Sequence, residues 1–521
     1  DYYASRGLGD VYKRQIYTDW RLIMKLLLKS AVIAFSAIGI VLSSHTISYA
    51  ADSSTVNIAN APDITSGNSA TTDNDTAHNI GITVSVNNNG SVSDYTKNLT
   101  DGSYDTTINL VPNATVNVKA DENIYGLYII WSSEVTNYTI TYNSQTVKCG
   151  ENGFLHDYMD IKDGSRDITI NVPEGMQISD IYAYSRGNLP DNVQRWEAPL
   201  YGMTDILVFS THADDEILFL GGVLTNYGGE QNLNVQIAYM CDFFLTEPVR
   251  QHEELDGLWE CGIKNYPVKG TFEDLYSLSL EKAKSQYVYD DIISYSTECI
   301  RKFKPLVCVS QDFNGEYGHG GHRIYAAAIQ EALEASNNAD MYPDSASKYG
   351  LWDVPKAYYH LYGDNTITLD VDTPLDKLGS RTSVQVLQDA FKKHVSQISY
   401  SFNMLDSGYA ITFNGQFDTR SFGLYRTLVG LDTTNNMMEN VTPYKEQAAT
   451  KTDEPIDVEF GIDQEDTADN AANTKPDIKQ SAITIIAIII IGVVIIAQAY
   501  RTRNLYKKKY DANKDEFENK Q

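Results

Sequence analysis

His212, Asp214, Asp215 and Glu216 fall within five consecutive residues, directly after the apolar run 206–209. Such a run reads as a buried strand, and open α/β sheets carry their sites just beyond the carboxyl ends of their strands. One imidazole and two carboxylates at this spacing can supply two metal ligands and a base, the minimum for metal-assisted hydrolysis. The same acidic triplet could instead cap a helix and complement its dipole. A second segment bears on that choice. Residues 314–323 read Asn-Gly-Glu-Tyr-Gly-His-Gly-Gly-His-Arg, again after an apolar run, 305–310. His319 and His322 open a predicted helix whose packing face is Ala326, Ala327, Ala328, Ile329 and Leu333. Glycines 315, 318, 320 and 321 let the backbone approach a ligand closely or take positive φ. Three of the nine histidines fall in these two segments, and packing alone does not explain imidazoles beside carboxylates after each of two strands.

These residues carry a family resemblance. The run His212-Ala213-Asp214-Asp215-Glu216 is similar to the His-Pro-Asp-Asp-Glu signature of the PIG-L/LmbE-like zinc-dependent de-N-acetylases. Gly318-His319-Gly320-Gly321-His322 resembles that family's Gly-His-Pro-Asp-His segment. Arg250, Glu253 and Gly262 resemble its Arg-x-x-Glu helix, which ends in a Leu-Gly-Val type turn, and residues 393–397 resemble its His-x-Ser-Gln element. The four elements come in family order over roughly residues 200–445. Two positions depart from the pattern. Ala213 stands in place of proline, which loosens the turn without removing a ligand. Gly321 stands in place of aspartate, so any role of that carboxylate behind a ligand must be filled elsewhere.

Residue by residue, the resemblance implies His212, Asp215 and His322 as ligands of Zn2+, with Asp214 as general base. It implies that His319 steadies the oxyanion or protonates the leaving amine. Other divalent ions suit the same donors. Three protein ligands leave one position for water, whose pKa the metal lowers to about 7. Asp214 would take the water's proton, and metal and imidazolium together would stabilise the tetrahedral oxyanion. Arg250 reads as an anchor for substrate or for a carboxylate behind the ligands, or as a surface ion pair. His394, late on a predicted helix, reads as structural. The implied activity is removal of the acetyl group from an N-acetylated sugar of N-acetylglucosamine type at the cell surface, with an N-acetylated glycan or glycoconjugate as partner. The alternative is a non-catalytic glycan-binding surface protein whose hydrolase-like domain is inactive. Loops 243–248 and 270–279 should wall the pocket, and their composition names no particular sugar.

The elements that must position these residues alternate. Helical stretches at 216–227, 249–261, 287–303 and 323–336 follow strands, which predicts an α/β catalytic domain over 200–445 with a Rossmann-like, mostly parallel sheet flanked by helices. Residues 52–199 differ. Short alternating stretches at 82–86, 106–110, 125–131, 138–142, 168–172 and 178–184 predict a preceding all-β sandwich. Its segments 99–103 and 178–184 are loosely similar to galactose-binding-like, discoidin-type domains, which implies either a carbohydrate-binding module or a spacer.

The ends address the chain. Residues 1–23 read as a non-native leader, of which 1–15 resemble translated adapter sequence, and Met24 is the expected start. Lys25 and Lys29, the apolar run 31–42 and the small residues at 48–51 predict a secretory signal peptide over 24–51, cut after Ala50 or Ala51. Residues 446–480 are acidic and poor in large apolar side chains, which predicts a disordered linker. Residues 481–499, nearly all Ile, Val and Ala from 482, predict one C-terminal transmembrane helix. Arg501, Arg503 and Lys507 to Lys509, in the basic tail 500–521, would keep the C-terminus cytoplasmic and the catalytic domain extracellular.

Composition sets outer bounds. A net charge of −28 and pI near 4.6 argue against nucleic acid as a partner, since backbone binding needs concentrated Lys and Arg. Five cysteines without a Cys-x-x-Cys pair predict neither a disulfide framework nor a cysteine-ligated metal, and Cys241 and Cys308 read as small buried strand residues. The roughly 430 residues between signal and anchor exceed a single core's usual limit, so two domains are expected.

Overall fold

Between residues 79 and 184 apolar and polar side chains alternate, and the chain forms nine antiparallel strands. They are β1 (Asn79–Ile80), β2 (Ile82–Asn88), β3 (Ser91–Asp94), β4 (Ile108–Leu110), β5 (Ala114–Trp131), β6 (Tyr138–Tyr142), β7 (Gln145–Cys149), β8 (His156–Val172) and β9 (Met176–Tyr184). The computed structural model describes residues 76–243, 247–398 and 402–451. The expectations for 1–23, for the signal peptide 24–51, for the linker beyond 451 and for 481–521 lie outside the described residues.

Two strands organise the all-β region. β5 and β8 run 18 and 17 residues, and their pairing shifts register between Lys119 and Ile124. Across that break Asp163 and Gly164 take φ of 66° and 68°, an irregularity of the bulge kind that bends the pair. One half of β5 pairs with β2, the other with β9. Val116, Val118, Ile129, Trp131, Ile168, Ile170, Ile178 and Ile181 from both halves merge in one apolar cluster, which continues into the α/β part. The expected sandwich is therefore one continuous sheet of nine strands whose long members serve both layers.

The α/β part begins with β10 (Ile206–Ser210), followed by β11 (Val235–Cys241), β12 (Val268–Phe272), β13 (Val307–Ser310), β14 (Lys356–His360) and β15 (Thr366–Thr368). A small hairpin, β16 (Pro374–Leu375) and β17 (Arg381–Thr382), precedes the three-stranded β18 (Asn403–Met404), β19 (Tyr409–Thr412) and β20 (Gly415–Asp418), and β21 (Ser421–Thr427) returns to the main sheet. The order is β12-β11-β10-β13-β14-β21-β15. The first five strands are parallel, and β21 and β15 join antiparallel. Every residue of β10, β11, β13 and β14 is buried, as strands covered on both faces require. The helices are α1 (Asp215–Leu218), α2 (Val249–Glu260), α3 (Leu280–Gln286), α4 (Tyr289–Phe303), α5 (Gly320–Ala335), α6 (Pro343–Tyr349), α7 (Ser383–Phe391) and α8 (Tyr444–Lys451). From β10 the chain builds outward to β11 and β12, then returns to β13 on the other side, so strand order reverses between β10 and β13. That switch point is where open α/β sheets form a crevice.

The expected fold class needs correction at the membrane. Among the described residues no helix is long and apolar enough to cross a bilayer. The longest, α5, has 16 residues, about 24 Å at 1.5 Å per residue, short of a hydrocarbon core of about 30 Å. The architecture is mixed α/β with two substantial sheets, and α8 occupies the first residues of what the sequence assigns to the linker. All described residues fall in one compact unit.

Candidate active site

The carboxyl ends of β10 and β13 are pinned together by one side chain. Gln311 Oε1 accepts from the Thr211 amide at 2.9 Å and from the Thr211 hydroxyl at 2.5 Å. Past this clasp the chain turns, and the His212 amide donates to Asp215 Oδ2 at 2.9 Å. The same oxygen lies 2.8 Å from His212 Nδ1 and 3.1 Å from His322 Nε2, and the two ring nitrogens stand 3.3 Å apart. Residues 110 positions apart in sequence thus present three donor atoms around one point. Metal–donor bonds of about 2.0–2.2 Å put neighbouring donors roughly 3 Å apart, so these spacings suit one divalent cation. His319 joins the group: donor atoms of His212, His319 and His322 lie within 4.8 Å of one another, and all three residues are buried.

The far nitrogens of both rings are held. His322 Nδ1 donates to Glu316 Oε2 at 2.7 Å, and Glu316 Oε1 lies 2.7 Å from His360 Nδ1. His360 Nε2 in turn meets the Asp418 carbonyl at 2.7 Å. His212 Nε2 stands 3.2 Å from Asp274 Oδ1. A carboxylate behind each imidazole fixes its tautomer and orientation, as metal-ligating histidines require. Glu316 thus supplies the carboxylate behind His322. A Cβ at Gly321 would lie 3.0 Å from Cε1 and Nδ1 of His319, so any larger residue there would press on that ring.

Asp214 stands between the ligand cluster and Arg250. Arg250 Nη2 lies 3.4 Å from Asp214 Oδ1 and donates to the Ala213 carbonyl at 3.1 Å, while its guanidinium sits 3.8 Å over the Phe243 ring. The buried Arg250 thus contacts the base and its turn, with its Nε left without a hydrogen-bond partner. Tyr317, at φ 46°, places its ring 5.2 Å from that of His322 and 5.5 Å from that of His319.

No protein-family model matches the chain, and no curated protein does. Among solved structures it is similar to a conserved protein from Thermus thermophilus, with 15% identity and a TM-score of 0.27 over 37% of this chain and 80% of that one. It is similar to N,N'-diacetylchitobiose deacetylase from Pyrococcus horikoshii, with 18% identity and a TM-score of 0.29 over 38% and 72%. It is also similar to the zinc-inhibited form of teicoplanin deacetylase Orf2, with 16% identity and a TM-score of 0.26 over 37% and 85%. Two of these three are named as deacetylases. Likeness at this level says nothing about activity, which has to be read from the side chains themselves.

Their electrostatics are unequal. Burial pushes the Asp214 carboxyl up to about 7 against the pull of Arg250. Burial also works against charge on Asp215, but His322 and His212 hold its carboxylate well below the usual range. Despite burial, hydrogen bonds from His322 and His360 hold Glu316 down at about 2. His319 goes the other way: burial, then the neighbouring His212 and His322, depress it to about 3. The imidazolium expected from sequence is thus a neutral ring at neutral pH, because burial disfavours its charge. Its Nδ1 is buried without a hydrogen-bond partner.

All six residues singled out by sequence, His212, Asp214, Asp215, Arg250, His319 and His322, come together. Asp274, Glu316, Tyr317 and His360 were missed. Glu316 and Tyr317 lie inside the glycine-rich 314–323 segment, and His360 ends an apolar run as His212 follows one. His394 is buried, with neither ring nitrogen hydrogen-bonded, and its Nε2 is 3.7 Å from Glu216 Oε1. Two residues on, Ser396 donates to Glu253 through its amide at 2.8 Å and its hydroxyl at 2.5 Å, so the Arg-x-x-Glu and His-x-Ser-Gln elements meet each other.

Proposed function

We propose that this chain is a metal-dependent amide hydrolase that removes the acetyl group from an N-acetylated sugar. The observation that carries this reading is the approach of His212 Nδ1, Asp215 Oδ2 and His322 Nε2 to within 2.8–3.3 Å of one another, beside a protonatable Asp214. A divalent cation held by these donors, zinc by preference, would polarise the amide carbonyl and acidify a water to a pKa of about 7. Asp214 takes the proton from the attacking water, since its carboxyl titrates near neutrality. His319, neutral and at the edge of the donor set, offers a ring N–H to the oxygen that becomes negative. Asp215 stays ionised as a donor to the cation, while Glu316 and Asp274, also ionised, keep the His322 and His212 rings oriented. Arg250 holds Asp214 and the Ala213 carbonyl, so the base faces the donor cluster in one geometry. Acetate and a free amine are the products. A glycan substrate accords with the exported location read from residues 24–51.

Metal analysis of the purified chain should give a bound divalent ion, and acetate should be released from N-acetylglucosamine oligomers. A chain that holds no divalent ion and releases no acetate from any N-acetyl sugar, from monosaccharide to wall fragment, would overturn this function.

A further inference from the structure

His212 has two working nitrogens. Nδ1 faces Asp215 and His322, whereas Nε2 faces Asp274. Beside Asp274 stands Cys241, the last residue of β11, and donor atoms of His212, Cys241 and Asp274 all lie within 4.8 Å of one another. The three come from adjacent strand ends: His212 follows β10, Cys241 closes β11 and Asp274 follows β12. The Cys241 amide donates to the Thr211 carbonyl at 3.1 Å, which ties the thiol-bearing residue to the turn that carries His212. Cys241 is buried and in no disulfide. The Asp274 side chain is 35% exposed, which leaves a way in from solvent. An imidazole, a thiolate and a carboxylate in mutual reach form a mixed N/S/O set of the kind that zinc accepts, and the thiolate biases it toward soft cations.

We propose that His212, Cys241 and Asp274 form a second divalent-cation site, weaker than the first, that fills when the cation is in excess and shuts the enzyme down. It rests on His212 being a ligand of the first site through Nδ1. With both sites filled, one imidazole serves a cation through each nitrogen. The Nε2 proton and the Cys241 thiol proton then leave to solvent, one metal–nitrogen, one metal–sulfur and one metal–oxygen bond (to Asp274) form as the incoming cation gives up bound waters, and no electron is transferred. The donors of this site lie within 4.8 Å of one another, against 2.8–3.3 Å in the first, which is why the second cation binds more weakly. Filling the site also replaces the contact between Asp274 and His212 with a positive charge at the open edge of the crevice, so turnover falls as it fills.

The metal-free chain titrated with Cd2+, and separately with Co2+, tests this without a substrate. The expected result is two equivalents bound, the second accompanied by thiolate-to-metal charge-transfer absorbance. Cys241→Ser should bind the first equivalent as the wild type does and lose both the second equivalent and the band. Asp274→Asn should weaken the second equivalent at least tenfold. With the native enzyme, excess Zn2+ should inhibit the wild type and not Cys241→Ser. Saturation of the wild type at one equivalent with no thiolate band, or a band that survives in Cys241→Ser, would overturn the proposal. Failure of the first site reads differently: there His322→Ala would leave the first equivalent unchanged.

Discussion

Asp214 sits in a backbone conformation that its side chain disfavours. Its φ of 155° and ψ of −28° belong to territory that suits glycine, and a non-glycine residue held there costs about 1–3 kcal/mol unless its surroundings over-determine it. They do. Its amide donates to Glu216 Oε2 at 3.0 Å, and Arg250 grips both the preceding carbonyl and the carboxylate. The strain aims a buried carboxyl of pKa about 7 at the ligand cluster. Asp214→Asn keeps the shape and removes the basicity, so the metal content should stay unchanged while kcat falls roughly 100- to 10,000-fold, the usual worth of a positioned base. Wild-type turnover in a metal-loaded Asp214→Asn enzyme would remove Asp214 from the base role. The residues that sequence reading found are those whose spacing is local: His212, Asp214 and Asp215 share one turn, and His319 and His322 another. Asp274 and His360 were illegible because each lies beyond or at the end of a different strand, and only the sheet order brings those ends together. Glu316 was in view but read as part of a glycine-rich loop, since its direction depends on the turn Glu316–Gly318 and the positive φ of Tyr317.

Elements were legible where burial is uniform and obscure where a strand crosses a bend. The helix read at 249–261 is α2 to within one residue, and it is buried nearly all round, from Arg250 to Leu255 without a break. β5, by contrast, was seen only from 125 onward. Its middle, Lys119 to Asn123, is charged and polar and breaks the alternation, yet the strand continues through the register shift. The helix expected at 216–227 is broken into α1, the turn Gly221–Val223 and a wider coil, Leu224–Glu230. The end of that coil explains a glycine the sequence singled out. Gly262, just past α2, has φ +83°, and a Cβ there would meet the Cα of Gly229 at 2.7 Å. Backbone meets backbone, so no side chain can move aside. Gly262→Ala should destabilise the fold by about 1–3 kcal/mol for the φ alone, measurable by urea unfolding, although alanine restricts the unfolded chain and stabilises by about 0.4–1 kcal/mol wherever it fits. An unchanged midpoint would mean that α2 does not end against the Gly229 backbone.

At the scale of the whole molecule, the nine-stranded sheet and the α/β part meet through buried polar contacts rather than a linker. His156 of β8 and His252 of α2 share a hydrogen bond of 2.9 Å, the Tyr104 ring stacks on His252 at 4.4 Å, and its hydroxyl donates to Asp256 at 2.8 Å. These pairs lie about a hundred or more positions apart in sequence, which is why two expected domains gave no sign of being locked together. The lock is sensitive to acid. Burial pulls His252 down to about 3, and burial with the adjacent His252 pulls His156 well below its ordinary range. Both rings are neutral when folded, whereas an unfolded histidine titrates near 6.5. As pH falls below about 6.5 the unfolded chain takes up protons that the folded chain refuses, so stability present above that pH is lost on the acid side. Asp256, raised by burial to about 6, works in the opposite sense, since the folded chain keeps its proton over a range where the unfolded chain has released it. A comparison with His252→Gln cancels that opposing contribution, because Asp256 is present in both proteins. Between pH 7.5 and 5.5, the loss of unfolding free energy should be smaller in the variant by about 1.4 kcal/mol, the uptake of an unfolded histidine that is half protonated near 6.5. Equal losses in the two proteins would mean that His252 takes up its proton in the folded state, and that the junction between the two sheets opens to water.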